Sequence, residues 1–364
     1  MTKPPARSAS RARVSRSQAH HHGHLHPSGT AQSRGGRIAL WSMLLAFITL
    51  LGASLALRVT SPDVSAIALF QDAVTLASGV IIESFPFIVL GITLSVIVQV
   101  WLPEGLLFKL LPKRRALRRG VLSTLGILLP VCECGNVPLS RGLLQRGLRP
   151  SEAITFLLAA PIVNPVTIVT TFQAFGFDHG ILFARILGGL VIANLVGWIF
   201  DQHPNQNSRL TPSFQATCEH ARHAPRSNGA RAKAAASVQL FIDESRALLP
   251  ALFLGGAIAG IIQVAISRDL LTTLGQHPIY SILAMMALAF IVSLCSSVDA
   301  FFALALASLF MPGALLAFLL FGPLIDLKMI ALFRTTFTTR TIIELTVIIA
   351  LLVAVLALGL NLVS

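Results

Sequence analysis

Residues 129–144 read LPVCECGNVPLSRGLL. Cys132, Glu133 and Cys134 stand between Pro130 and Pro138, inside a chain that is otherwise apolar on both sides. Proline removes a backbone donor and Gly135 relaxes the chain, so a helix breaks here. In a bilayer the freed backbone groups must be satisfied by protein or by a water-lined cavity, because lipid offers no partner. A thiol-bearing, carboxylate-bearing break at membrane depth is costly, and its default reading is a functional site.

The rest of the composition places that stretch in a membrane. Of 364 residues, 54% are hydrophobic and 12% charged, about half the charged share of an ordinary soluble domain. The formal net charge of +13 is concentrated in tails and loops. That pattern suits orientation against an anionic leaflet and calls for no nucleic-acid partner. The four cysteines, Cys132, Cys134, Cys218 and Cys295, are too few and too deeply placed for a disulfide framework.

Outward from the break, the chain divides into five segments. Residues 1–37 hold seven Lys/Arg, no acid and the run HHHGHLH, and such a segment buries too little to fold. It reads as a basic cytoplasmic tail or as a metal-sequestering one, since clustered imidazoles bind zinc or nickel. Residues 38–63 open with a 20-residue apolar run, 38–57, long enough to span and read as a retained anchor. Residues 64–200 and 238–364 form two apolar halves, and 201–237 a flexible cytoplasmic linker with Cys218 as an exposed thiol.

Within the first half, 64–100 exceeds one straight span, and Glu83 and Pro86 suggest an interfacial lead-in before a kinked span. Six basic residues between 101 and 120 put that loop in the cytoplasm, and with it the N-terminus. The arms of 121–148 are each too short to cross, so the break reads as a re-entrant hairpin. Residues 150–175 span but break at AAPIVNP, and 181–200 return.

The second half repeats this plan. Residues 97–107, IVQVWLPEGLL, align with IIQVAISRDLL at 261–271 with an offset of 164, which also carries Pro86 onto Pro250 and Gly91 onto Gly255. Cys132 falls on Cys295 at an offset of 163, and Pro150, Pro161 and Asn164 fall on Pro312, Pro323 and Asp326 at 162. Three spans plus one hairpin per repeat is an odd number, so the second copy is expected upside down. The sparse charge of 267–278 agrees with an external loop. The expected fold class is therefore an all-α integral membrane protein: a polytopic bundle of two inverted repeats with broken or re-entrant helices, plus an N-terminal anchor helix. Inverted repeats whose broken helices meet at the midplane are the layout of secondary transporters.

The stretches CECGNVPLSRGLLQRG, FLLAAPIVNPV, CSSVDAFFALAL and FLLFGPLIDLK resemble the bacterial predicted permeases of the ArsP/YraQ type, over roughly residues 66–350. That resemblance implies an inner-membrane permease, and the family includes efflux permeases for trivalent organoarsenicals. Family members usually carry CSCG followed by a small aliphatic residue. Here Glu133 replaces the serine and Asn136 the aliphatic residue, which adds a carboxylate.

The residues themselves leave several roles open. Cys132, Cys134 and Cys295 would offer three soft thiol ligands to a trivalent metalloid, or they pack small side chains where hairpins meet. No histidine stands at these depths, which argues against a resident structural zinc. A thiol–disulfide role for Cys132 and Cys134 requires an exposed low-pKa thiol. Glu133, Asp299 and Asp326 are candidates for proton coupling, and Asp299 and Asn164 equally for capping a half-helix N-terminus. Lys328 reads as a snorkelling side chain, or as a local partner of Asp326. Glu83 reads as an orienting polar residue, and Gly255, Gly256 and Gly260 as close-packing positions. The candidate substrate-binding set is thus Cys132, Glu133, Cys134, Asn136, Asn164, Cys295, Asp299 and Asp326. No nucleotide-binding motif, cofactor or enzymatic constellation is expected. The cargo is a small solute or metalloid species, alternatively an unrelated ion or metabolite.

Overall fold

A computed structural model describes residues 65–103, 105, 109, 111–128, 131–223, 229–265 and 277–363. The tail 1–37, the anchor 38–63 and most of the loop 267–278 lie outside the described residues. Among them the chain is helical throughout, and the single extended contact is an isolated bridge between Leu210 and Phe337.

The first half runs α1 (Ser65–Val96), a π-helical turn (Ile97–Trp101), α2 (Arg115–Thr124), α3 (Glu133–Gln145), α4 (Pro150–Ala159), α5 (Pro165–Phe175) and α6 (Ile181–Asp201). A connecting helix α7 (Pro212–His223) follows. The second half runs α8 (Ala230–Ala265), α9 (Pro278–Val292), α10 (Asp299–Ala305), α11 (Pro312–Leu324), α12 (Leu327–Phe333) and α13 (Thr339–Val363). Among the described residues, five helical stretches are long and apolar enough to cross a membrane: Phe70–Trp101, Ile181–Asp201, Ala230–Val264, Pro312–Phe333 and Thr339–Leu362. On α13 the two faces separate cleanly. Ile343, Val347, Leu351 and Val355 are exposed at four-residue spacing, while Leu345, Ile349, Val353 and Ala357 are buried. An exposed apolar stripe of that kind faces lipid rather than water.

Breaks fall where proline and polar caps demand them. Pro150, Pro165 and Pro312 open α4, α5 and α11 at the first turn, where a missing N–H costs nothing. Asn164 ends the gap between α4 and α5 by accepting from the Val166 amide at 2.9 Å. Its sequence counterpart Asp326 does the same between α11 and α12, accepting from the Met329 amide at 2.7 Å.

Helix packing is similar in the two halves in one part and different in another. In the first half α4 packs on α2, α3 and α6; in the second α11 packs on α9, α10 and α13. The long helices α1 and α8 lie against each other, but α1 runs along α3 whereas α8 runs along α12. Glycines permit both approaches. A Cβ on Gly91 would sit 2.1 Å from the Gly135 carbonyl oxygen, and one on Gly255 would sit 2.9 Å from the Lys328 Cα.

Three expectations are corrected. Ser65–Val96 form one continuous helix that accommodates Pro86, since tertiary contacts with α3 and α8 hold the span together. The linker is not wholly flexible. Residues 230–237 already belong to α8, and α7 is tied down by Thr211 N–H donating to the Thr336 carbonyl (2.9 Å) and by the Arg141 guanidinium over the Phe214 ring at 4.4 Å. Cys218, expected to be exposed, is buried on α7, because that helix presents its Phe214 and Cys218 face to α3.

Candidate functional site

Extended backbone at Cys132 (φ −71°, ψ 175°) delivers the chain into α3, whose first residue is Glu133. Every residue of α3 is buried, polar ones included. Gly135 is required here: a Cβ would collide with Val131 at 2.1 Å and with the Phe87 carbonyl oxygen at 2.5 Å. The close approach puts Ser84 of α1 beside the break, and the Cys134 thiol donates to its hydroxyl at 3.5 Å.

From the other half, the α9 helix stops at Ser293, the one non-glycine residue among those described with positive φ (52°). The chain then turns through Cys295 and Ser296 toward Glu133. One carboxylate oxygen of Glu133 accepts from the Ser296 hydroxyl (3.2 Å), the Ser296 amide (3.4 Å) and the Cys295 thiol (3.8 Å). The other oxygen faces the Lys328 ammonium at 3.1 Å. Lys328 also stands 3.5 Å from Asp326 Oδ2 and donates to the Ser293 carbonyl at 2.7 Å, bracing the left-handed turn. The ligand atoms of Cys132, Glu133 and Cys134 lie within 4.8 Å of one another, and the Cys132 thiol neighbours that of Cys295 as well. Each of Cys132, Glu133, Cys134, Cys295, Asp326 and Lys328 is 3% exposed or less.

Lys328 therefore does not snorkel. As the second residue of α12 it points back past its cap, and Asp326 lies outside the helix, so the rule that i,i+2 helical neighbours face apart does not apply. Asp299 does not cap α10; its carboxylate pairs with Arg185 of α6 at 2.5 Å, and Arg185 donates in turn to the Thr171 hydroxyl at 2.7 Å. Asn136 and Asn164 donate to the Val131 carbonyl at 3.5 and 3.1 Å. They satisfy the backbone oxygen that the break orphans.

A chain of this plan matches the ArsP_1 family, described as predicted permeases, over residues 69–362. The chain belongs to that family. Among relatives of this permease, the UPF0718 protein YcgR of Bacillus subtilis is 34% identical over 278 residues, covering 76% of this chain and 92% of the relative. A Streptococcus mutans protein, named as a subunit of a two-component membrane permease complex, is 35% identical over 270 residues, 73% of this chain and 87% of its own. The UPF0718 protein YraQ of Escherichia coli matches over 133 residues at 30% identity, 36% of each chain. No solved structure matches.

Sequence reading missed three members of the permease's deep cluster. Arg185 interrupts the apolar run ILFARILGGL, and a charge inside a span is itself a signal of a buried partner. Ser296 carries no such signal, since serine is common in membrane helices. Glu83, read as an orienting residue, stands within electrostatic range of Lys328 and Glu133.

Proposed function

We propose that this permease exports a small soft electrophile, a trivalent organoarsenical or another soft metalloid or metal species, by alternating access. The observation that carries the reading is the meeting of Cys132 and Cys134 from one half with Cys295 from the other around a buried carboxylate. Thiol sulfur favours soft ions over hard ones, and a ligand set drawn from both halves is one that a relative movement of the halves would assemble and take apart.

Charge supports the same reading. Glu133, Asp299 and Asp326 are buried carboxylates, faced by Lys328 and Arg185 as buried cations. With Glu83 also within range of Lys328 and Glu133, the carboxylates outnumber the two cations and leave the cluster short of positive charge. Such a site accepts a cation, a proton or a Lewis acid and repels an oxyanion such as arsenate. A thiol–disulfide activity loses support, because Cys132 and Cys134 are sealed from any exchange partner. The two halves are read as inverted repeats with re-entrant breaks, and the name of the Streptococcus mutans relative suggests a second subunit.

The test is growth of a sensitive strain expressing the permease on trivalent methyl- or phenylarsenicals, antimonite, divalent metals and arsenate. Protection against trivalent arsenicals that disappears in Cys132→Ser/Cys134→Ser, at equal membrane expression, is the expected result. Protection that survives the double substitution removes the thiol mechanism.

A further inference from the structure

We propose that the basic rim where α2 and α4 begin and α6 ends carries a site for a phosphate-bearing anion, supplied by the headgroup of an anionic phospholipid. This site is separate from the buried thiol cluster and does not depend on any reading of the cargo.

A cavity of about 590 Å³ opens at this rim, lined by Arg115, Arg149, Asp201, His203 and Asn205 among others. The charges around it do not cancel locally. Asp201 accepts from Arg119 at 2.9 Å and from the Ser151 hydroxyl at 3.3 Å, so both of its oxygens are engaged. Glu152 pairs with Arg118 at 3.3 Å. That leaves Arg115 and Arg149, whose guanidinium groups lie 4.0 and 3.7 Å from Asp201, beyond hydrogen-bond reach. Among the described residues neither guanidinium makes a hydrogen bond. Their side chains are 60% and 40% exposed and both line the cavity. Two guanidinium forks that share one carboxylate at ion-pair distance only, with their N–H groups free of hydrogen bonds, match the oxygens of a phosphate on this cavity wall.

The setting selects lipid as the source. Leu117 and Val121 on α2, and Trp198 and Ile199 on the last turns of α6, are exposed beside the same helix ends. A tryptophan at the end of a span marks the headgroup level. An anion seated between Arg115 and Arg149 would thus have its acyl chains over an apolar lip, the geometry of a basic pocket between membrane helices that takes an anionic headgroup.

The experiment uses the full chain in nanodiscs of phosphatidylcholine, with or without phosphatidylglycerol, read by thermal melting and by native mass spectrometry of retained lipid. Phosphatidylglycerol is expected to raise the melting temperature and to co-purify. Each arginine removed should weaken lipid affinity about fivefold, so Arg115→Gln/Arg149→Gln should lose most of the effect. Arg149→Lys should keep part of it, and Lys233→Gln, a cation that lies over the Trp101 ring and does not line the cavity, should keep all of it. If the double variant fails to fold, the two single Gln variants carry the same comparison. Unchanged phosphatidylglycerol retention in the arginine variants overturns the site. Full stabilisation by millimolar inorganic phosphate alone, without the lipid, overturns the lipid assignment and leaves a soluble phosphate site.

Discussion

Lys328 of α12 and Glu133 of α3 meet at 3.1 Å with neither side chain more than 1% exposed, so the two halves of the permease are stapled by an ion pair at the centre of its thiol cluster. Asp326 shares the same ammonium at 3.5 Å. Removing one partner of a buried pair leaves an uncompensated charge, at a cost of about 3–5 kcal/mol. Lys328→Met, which would leave two buried carboxylates facing each other, should therefore destabilise the chain by about that amount in a detergent thermal-shift assay. Lys328→Met combined with Glu133→Gln should cost clearly less than the sum of the two single changes. Strict additivity would show that the pair is not coupled.

Arg185 and Asp299 form the second staple, α6 to α10, with Thr171 as a third member. A lysine keeps the charge but lacks the fork that reaches both Asp299 and Thr171. Arg185→Lys is expected to recover only part of the stability lost in Arg185→Met, again in the range of about 3–5 kcal/mol. Full recovery by lysine would reduce the contact to a simple point charge.

Gly135 and Gly91 hold α1 and α3 at backbone contact. Either glycine changed to valine forces main chain against main chain, where no flexible side chain can yield, and overpacking of this kind costs about 1–3 kcal/mol or more. Loss of monodisperse protein by fluorescence-detected size exclusion is the expected outcome. Gly322→Ala, whose new Cβ would meet the Ala289 methyl at an ordinary 3.6 Å, should behave as wild type.

Ser95 lies 2.3 Å from where a Cβ of Gly142 would be, in the contact of α1 with α3. The repeat offsets carry these residues to Ala259 of α8 and Ala305 of α10, yet α8 packs along α12 instead. Val298 at the start of α10 and Phe301 and Leu304 on it are exposed, as are Val166, Val169 and Phe172 on α5, the counterparts of the region of α12 that α8 covers. If alternating access exchanges the two seats, Ala259→Cys with Ala305→Cys should form an oxidative cross-link during exposure to cargo. A pair that stays unlinked while each single cysteine reacts with a maleimide would speak against such an exchange.

Substitution of Cys295 separates its contribution from that of the CEC pair. Cys295→Ser removes one soft ligand but keeps a donor toward Glu133, so folding should hold while protection against trivalent arsenicals falls about tenfold, in line with losing one ligand of three. Equal protection at equal expression would assign Cys295 to packing alone.

Read alone, the letters already gave a helical membrane protein, most of the places where its helices break, and matched prolines, glycines and cysteines in its two halves. Apolar length, proline and cap residues act over a few positions, and repeat offsets survive in the letters. They also singled out Cys132, Glu133, Cys134 and Cys295, because thiols and a carboxylate at depth are costly without a use. Which charges meet depends on how the helices pack. Lys328 reads as a snorkelling side chain or a local partner of Asp326; it meets Asp326 and, beyond what any local pattern offers, Glu133 of the other half, while Arg185 meets Asp299 of the other half. The burial of Cys218 was hidden for the same reason, since α7 gains its apolar surroundings only by docking on α3. Partners 100 or more residues apart are chosen by how helices pack, and packing is set by small contacts such as Gly91 on Gly135 that no local pattern encodes.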